Sequence, residues 1–66
     1  MEIRVNGNLT DVDPAMTVAD LVQRLGCERE RVAIAVNKEF VPQGQYAGVR
    51  LQDGDEVECV TPRQGG

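Results

Sequence analysis

One short amphipathic segment, TVADLVQRLG at residues 17–26, constrains the fold of this chain more than any other. Thr17 and Asp20 have the spacing of a capping box, and Gly26 suits the left-handed conformation that ends a helix. Four branched aliphatic residues fall on one face of this helix, at Val18, Leu21, Val22 and Leu25. On the opposite face, Asp20 and Arg24 are spaced to form an ion pair. Because a helix of about two to three turns is not stable alone, the segment predicts a single helix that docks on a sheet.

The residues before this helix have the pattern of a hairpin. Ile3 and Val5 alternate with polar neighbours, which is the period of a half-buried strand. Asn6 and Gly7 both tolerate a positive φ angle and suit a two-residue type I′ turn. The chain is therefore expected to return as a second strand over residues 9–12.

Three further strands are indicated after the helix. The apolar run at residues 32–36 has the composition of a central strand that is buried on both faces. We expect a turn at residues 37–39, a short edge strand at residues 40–41, and then a glycine-bounded loop at residues 43–50 with room for one helical turn. Alternating acidic and apolar residues predict the last strand, at residues 56–61.

This order of elements predicts an α+β domain with one amphipathic helix packed on one face of a mixed sheet. The first and last strands are expected to lie side by side and parallel at its centre, because the helix supplies the crossover length that a parallel return requires. That is the β-grasp, or ubiquitin-like, pattern. We expect one domain at residues 1–61 and a flexible tail at residues 62–66, because Pro62 removes a hydrogen-bond donor from the last strand.

The charge of the chain excludes several classes of function. The chain carries 11 acidic and 7 basic residues, for a net charge of −4, and the basic residues form no block. Nucleic acids and anionic lipids need a basic binding surface, so we expect neither as a partner, whereas a protein with a basic surface fits. No apolar run reaches the roughly 20 residues that span a bilayer, and the N-terminus lacks the pattern of a signal peptide. We therefore expect a cytoplasmic protein. We also expect it to be a monomer when free.

Few side chains suit catalysis or metal binding. The chain contains neither histidine nor serine, and it has no glycine-rich phosphate loop. Asp53 and Asp55 flank a glycine, which indicates a turn, since the closing glutamate of a calcium loop is absent. Cys27 and Cys59 match no metal-ligand spacing and are interpreted as small apolar residues, with a reactive thiol as the alternative. We expect a protein that is not an enzyme and that binds no metal or cofactor itself.

The chain ends in Gly65 and Gly66, and these two residues point to a reactive C-terminus. Glycine has no Cβ atom, so a pair of glycines is the thinnest polypeptide segment and can enter a narrow channel in another protein. The terminal carboxylate is ionised at neutral pH, but it becomes a good acyl donor only after adenylation with ATP. A frayed end or an expression remnant is the alternative interpretation of the two glycines alone.

Together these segments resemble the ThiS family, the sulfur carriers of thiamine thiazole biosynthesis. The resemblance covers nearly the whole chain, and it is carried by the segments VNG, TVADLVQRLG, VAIAVNKEFVP, QYA, DGDEVECV and the terminal GG. A related β-grasp sulfur carrier for molybdopterin or cysteine, or a ubiquitin-like protein modifier, would use the same terminal chemistry and is the alternative. A non-reacting β-grasp binding module is a third hypothesis.

The resemblance implies a role for each of the last two residues. Gly66 would be adenylated by an E1-like enzyme that uses ATP, and sulfur from a persulfide protein would convert it to a thiocarboxylate. Gly65 would accompany it into the channel of the partner, and a thiazole synthase would then take the sulfur. Independently of the resemblance, strand alternation suggests that four side chains lie near the partner contact on the outer face of the sheet: Arg4, Glu56, Glu58 and Val60.

Overall fold

The helix and the strands follow the predicted order along the chain. The computed structural model describes residues 1–61. The helix and strands are β1 (Glu2–Val5), β2 (Asn8–Asp11), α1 (Val18–Arg24), β3 (Ala33–Val36), β4 (Glu39–Val41) and β5 (Glu56–Val60). Two 3₁₀ segments lie in the connections, Arg29–Arg31 before β3 and Gln43–Gly48 after β4. The predicted tail at residues 62–66 lies outside the described residues.

The strands form one mixed sheet in the order β2-β1-β5-β3-β4. β1 and β5 run parallel, with Val5 opposite Val57, and β5 takes the central place. The other neighbouring strands pair antiparallel. The predictions of parallel first and last strands and of β4 as an edge strand are therefore confirmed. β3 lies beside the centre, between β5 and β4, and its predicted burial on both faces is wrong, since only Ile34 is buried.

Two-residue turns close both hairpins of the sheet. Asn6 and Gly7 have φ angles of 52° and 86°, and Asn37 and Lys38 have φ angles of 53° and 70°. Positive φ angles at both central residues are those of a type I′ turn, which matches the twist of the strands that it joins. The prediction of a turn over residues 37–39 was wrong by one position, because Glu39 is already the first residue of β4.

Both ends of α1 are closed as the sequence predicts. The Thr17 hydroxyl accepts a hydrogen bond from the Asp20 N–H at 3.2 Å, and the Asp20 carboxylate accepts one from the Thr17 N–H at 3.1 Å. Gly26 has a φ angle of 74°, and its N–H donates to the carbonyl of Gln23 at 3.0 Å. These bonds satisfy backbone groups that the helix itself leaves open. Neither α1 nor any other helix in residues 1–61 is long and apolar enough to cross a membrane.

Two expectations for the side chains of α1 are wrong. Leu25 is 42% exposed, because the helix ends at Arg24 and Leu25 is the C-cap residue at which the chain leaves it. Arg24 does not pair with Asp20, and its guanidinium donates instead to the carbonyl of Asp11 at 3.1 Å. The Asp20 carboxylate is used in the helix cap. An exposed ion pair contributes only about 0–1 kcal/mol, so it competes poorly with such backbone contacts.

The core lies between α1 and one face of the sheet. Eleven buried hydrophobic residues form it: Ile3, Val5, Val12, Val18, Leu21, Val22, Ile34, Val41, Tyr46, Leu51 and Val57. Tyr46 lies in the second 3₁₀ segment, where the sequence predicted only a loop with room for one helical turn. In β3, Ile34 is buried while its strand neighbours are half-buried, which follows from a core on one face of the sheet only.

Candidate functional site

The face of the sheet opposite α1, called the open face below, carries the four residues that the sequence placed near a partner. Arg4 on β1 lies opposite Glu56 on β5 in the parallel register. Glu58 and Val60 point to the same side as Glu56, because strand residues alternate between faces. All four side chains are exposed. The structure therefore brings them together on one accessible surface, and their contact with a partner stays a prediction.

Exposed apolar side chains also lie on the open face, on the central strand and on both edge strands. Val60 is 58% exposed, Leu9 on β2 is 60% exposed and Phe40 on β4 is 67% exposed. Leu9 lies opposite Arg4, and Phe40 alternates with the buried Val41, so both belong to this face. Leu9 and Phe40 are not among the surface residues that the sequence predicts, although the register between neighbouring strands identifies both. Exposed apolar groups beside charged ones are typical of protein interaction surfaces.

A shallow recess of about 230 Å³ lies on the open face between the two type I′ turns. Its lining combines two basic side chains, Arg4 and Lys38, with two acidic ones, Glu56 and Glu58. Pockets for small molecules are usually about 300–1,000 Å³ and predominantly apolar. The small size and mixed charge of this recess suit the surface of another protein better than a small substrate.

The carboxylates of Asp53 and Asp55 support the turn before β5. Asp53 accepts a hydrogen bond from the Glu2 N–H at 2.8 Å, and Asp55 accepts one from the Gln52 N–H at 2.8 Å. Gly54 between them has a φ angle of 87°. The Asp55 contact lies within the predicted turn, and the Asp53 contact joins that turn to β1. In the part of the chain that the structure describes, no three His, Cys, Asp or Glu side chains are grouped to hold a metal ion.

The two cysteines pack against the core as partly buried residues. Both Cys27 and Cys59 are free thiols. Burial raises the pKa of the Cys59 thiol, and the neighbouring Cys27 thiol adds to this increase. A raised pKa keeps a thiol protonated at neutral pH and lowers its reactivity. The surroundings of Cys59 therefore fit its interpretation as a small apolar residue.

Two asparagine side chains hold β5 near its two ends. At the start of the strand, Asn37 accepts a hydrogen bond from the Glu56 N–H at 3.0 Å and donates one to the Asp55 carboxylate at 3.0 Å. Near the end, Asn6 accepts one from the Cys59 N–H at 2.9 Å and donates one to the Cys59 carbonyl at 3.1 Å. The sequence predicts both asparagines as turn residues only, because side-chain contacts across 18 to 53 residues leave no local signal.

The predicted reactive residues, Gly65 and Gly66, lie outside the described residues. The structure describes the strand that leads towards them, β5, which ends at Val60 in the centre of the sheet. The roles of both glycines therefore stay predictions.

Known proteins resemble the chain over most or all of its length. The model of the ThiS family matches residues 3–66. The chain is 38% identical over 66 residues to a thiazole synthase of Paramagnetospirillum magneticum, which covers the whole chain and 20% of that protein. It is 32% identical over 57 residues to the sulfur carrier protein ThiS of Escherichia coli, which covers 86% of each. The chain spans about a fifth of the length of the curated thiazole synthases that it matches.

A solved structure shares the same architecture. The crystal structure of the thiamine biosynthesis protein ThiS from Geobacter metallireducens matches with a TM-score of 0.85 at 29% identity, and the match covers 100% of both chains. The mixed sheet with one main helix confirms the predicted β-grasp fold. With a family model that matches from β1 to the last residue and a solved ThiS structure of the same fold, the chain belongs to the ThiS family.

Proposed function

We propose that this chain is a sulfur carrier for the thiazole ring of thiamine, and that Gly66 carries the sulfur as a thiocarboxylate. The observation that carries this proposal is the family match over residues 3–66, which includes both terminal glycines. The Escherichia coli relative is a sulfur carrier protein, and it aligns over 86% of each chain. Family membership supports the role as a sulfur carrier, and Gly66 supplies the carboxylate that reacts.

The proposed reaction activates the carboxylate of Gly66 and then replaces one of its oxygens by sulfur. An E1-like enzyme joins the carboxylate to the AMP part of ATP, pyrophosphate leaves, and an acyl adenylate forms. The terminal sulfur of a persulfide attacks the acyl carbon and AMP leaves, so that the acyl group is joined to the donor through an S–S bond. A thiol then attacks the donor's sulfur of that bond, forms a disulfide with it, and releases the thiocarboxylate on Gly66.

Residues 1–61 serve in this proposal as the part that partners recognise, and not as a catalyst. The open face presents exposed apolar groups such as Phe40 beside the charged side chains of Arg4 and Glu58. Such a combination of apolar and charged groups fits a transient protein interface, in which charge sets the orientation and apolar contact adds affinity. ATP is bound by the adenylating partner, and the carrier brings only its carboxylate.

A thiazole synthase is the proposed acceptor of the sulfur. A segment like this chain accounts for 20% of the thiazole synthase from Paramagnetospirillum magneticum. Placing two modules in one polypeptide raises the effective concentration of one for the other, which is useful when the two must meet in each reaction cycle. That arrangement supports a functional contact between this chain and a separate thiazole synthase.

The test is the intact mass of the chain after reaction with an adenylating enzyme, ATP, a persulfide donor and a thiol. We expect the mass to rise by the difference between one sulfur atom and one oxygen atom, with the change located at Gly66 by fragmentation. Addition of a thiazole synthase and its other substrates should return the mass to its starting value. Omission of ATP is the matched control, and it should prevent any change.

Other outcomes of this test would favour the alternatives. A carboxyl terminus that stays unmodified, or a native chain in which further residues follow Gly66, would contradict the proposal. A covalent conjugate between Gly66 and a lysine would indicate a protein modifier. A thiocarboxylate that passes its sulfur to a molybdopterin or cysteine synthase but not to a thiazole synthase would keep the carrier chemistry and reassign the pathway.

A further inference from the structure

The hydrogen bonds between β1 and β5 continue beyond the end of β1. The Arg4 N–H donates to the Asp55 carbonyl at 2.9 Å, and the Asn6 N–H donates to the Val57 carbonyl at 2.9 Å. The next step along the parallel ladder reaches the peptide groups of Cys59. At that point Asn6 has a φ angle of 52°, and its backbone turns away into the hairpin.

Where the backbone of Asn6 leaves the ladder, its side chain makes the next two hydrogen bonds to β5. Its Oδ1 accepts the hydrogen bond of the Cys59 N–H at 2.9 Å, and its Nδ2 donates to the Cys59 carbonyl at 3.1 Å. One amide thus imitates the donor and the acceptor of a missing strand residue. The N–H and the carbonyl of Cys59 face the β1 side of the strand, so without this amide both would face water.

Asparagine combines the two properties that this position requires. A positive φ angle is tolerated by Gly, Asn and Asp, but Gly has no side chain and an Asp carboxylate only accepts hydrogen bonds. Gln has an amide of the same kind, but it is not among the residues enriched at positive φ angles. A residue that both turns the hairpin and pairs with Cys59 in two directions is therefore Asn.

We propose that Asn6 is a positioning residue for sulfur loading, because it keeps the end of β5 in register with β1 and thereby fixes where the segment bearing Gly66 begins. This inference rests on the proposed function. From Cys59 to Gly66 the chain advances seven positions, a reach of at most about 25 Å. Without the Asn6 side-chain bonds the end of β5 is held by β3 alone, with Ile34 opposite Cys59 and Ala33 opposite Val60. The segment between the open face and the reacting carboxylate then begins from a less firmly fixed strand. Catalysis is sensitive to such misplacement, since a shift of about 1 Å at the reacting atom can cost up to roughly 100-fold in rate.

Asn37 provides a matched control within the same chain. It occupies the same place in the other type I′ turn, with a φ angle of 53°. Its side chain also makes two hydrogen bonds, to the Glu56 N–H and the Asp55 carboxylate, both at 3.0 Å. These bonds hold the start of β5, which is the end of the strand remote from Gly66. A loss of stability without a loss of positioning is therefore expected on substitution of Asn37.

The experiment compares Asn6→Gly with Asn37→Gly, because glycine keeps the turn conformation and removes only the side chain. Hydrogen exchange should become faster at the Cys59 amide in the first variant and at the Glu56 amide in the second. In adenylation by the partner enzyme, Asn6→Gly should lower kcat by about threefold or more and change KM by less than about twofold, since the charged and apolar side chains of the open face are retained and the carboxylate is misplaced. For Asn37→Gly both constants should stay within about twofold of the unmodified chain.

Several results would overturn the inference. Equal kcat values for the two variants, or a change confined to KM for Asn6→Gly, would show that Asn6 contributes stability or docking and no positioning. An unchanged exchange rate at the Cys59 amide would show that the bonds do not hold the strand. If Asn6→Gly does not fold, Asn6→Asp serves for the kcat comparison, because it retains an acceptor for the Cys59 N–H and loses only the donor to the Cys59 carbonyl. Absence of adenylation in the unmodified chain would overturn the proposed function instead. The hydrogen-exchange comparison would still report whether the Asn6 side chain holds the end of β5.

Discussion

The hydroxyl of Tyr46 donates a hydrogen bond to the backbone carbonyl of Val32 at 3.3 Å. This contact ties the second 3₁₀ segment to the residue that precedes β3. The ring is 2% exposed and is among the largest fully buried side chains of the core. Tyr46 therefore contributes in two ways, through the volume that its ring fills and through one long hydrogen bond.

These two contributions can be separated by substitution. We expect Tyr46→Ala to lower the free energy of unfolding by about 3–5 kcal/mol, because it leaves a cavity in the core. Tyr46→Phe keeps the ring and loses only the long hydrogen bond, so it should cost about 1 kcal/mol or less. Urea unfolding followed by circular dichroism gives both values. Phe40→Ala, at a side chain that is 67% exposed, is the control and should change the free energy by less than about 0.5 kcal/mol. Similar losses for Tyr46→Ala and Phe40→Ala would contradict the core position of Tyr46.

Stability should decrease as the pH rises above about 9. Burial raises the pKa of the Cys59 thiol above its ordinary value of 9.0, with the Cys27 thiol as the second cause. Burial likewise raises the pKa of the Tyr46 hydroxyl above 10.0, with Cys59 as the second cause. Both groups ionise more readily in the unfolded chain, so their contribution to stability is complete below the unfolded pKa and is lost as the pH rises towards the folded value.

The pH dependence is measured by urea unfolding between neutral and alkaline pH. Cys59→Ala and Tyr46→Phe should each make the alkaline decrease shallower, because each removes one of the two titrating groups. Comparison of slopes, and not of absolute stabilities, separates this effect from lost packing. If the stability of both variants decreases as steeply with pH as that of the unmodified chain, these two groups are excluded as the origin of the decrease.

The end of α1 depends on the backbone conformation of Gly26. Its φ angle of 74° is strained for any residue with a Cβ atom, although the space around that position is open. Gly26→Ala should therefore lower the free energy of unfolding by about 1 kcal/mol. Gly44 has equally open surroundings and no positive φ angle, so Gly44→Ala should be neutral or slightly stabilising. Equal effects of the two substitutions in thermal unfolding would show that the conformation of Gly26 is unimportant.

The open face should bind the adenylating enzyme. Arg4 lies on this face opposite Glu56, and Arg4→Glu should weaken the complex by roughly tenfold through reversed charge at the contact. Arg29→Glu makes the same change at an exposed residue of the first 3₁₀ segment and should leave the affinity unchanged. Titration calorimetry measures both affinities. Equal weakening by the two variants would indicate a general effect of net charge and no specific use of the open face.

The terminal glycines should matter for reaction and not for folding. Removal of Gly66 should leave the unfolding curve of the chain unchanged and abolish adenylation, measured as ATP-dependent release of pyrophosphate. Gly65→Ala keeps the terminal carboxylate but adds a Cβ atom, so we expect slower adenylation because a narrow channel excludes the added atom. An unfolded product of either change would instead assign the glycines a structural role.

Much of the fold could be predicted from local patterns. The pair Asn6-Gly7 identified a turn, the spacing from Thr17 to Asp20 identified a helix cap, and the placement of the first and last strands followed from the crossover length. Each of these features is determined within a few residues or by a general rule of connection.

The errors concern the ends of elements and contacts between residues that are distant in the sequence. Tyr46 was assigned to a loop because a 3₁₀ segment has no strong periodicity, and only the space beneath it makes a buried ring favourable. Leu25 fits the helical period, but the period does not show where the helix ends. The pairing of Asn6 with Cys59 spans 53 residues, and no local pattern predicts such a bond.

The central position of β5 has a consequence for synthesis of the protein on the ribosome. Without β5 the strands form two separate hairpins, β1 with β2 and β3 with β4, because β5 is the strand that joins them. Contacts between the start of the chain and its last strand close late and fold slowly. A nascent polypeptide therefore cannot complete its sheet before β5 has left the exit tunnel, and a product terminated before β5 lacks both the central strand and the two glycines.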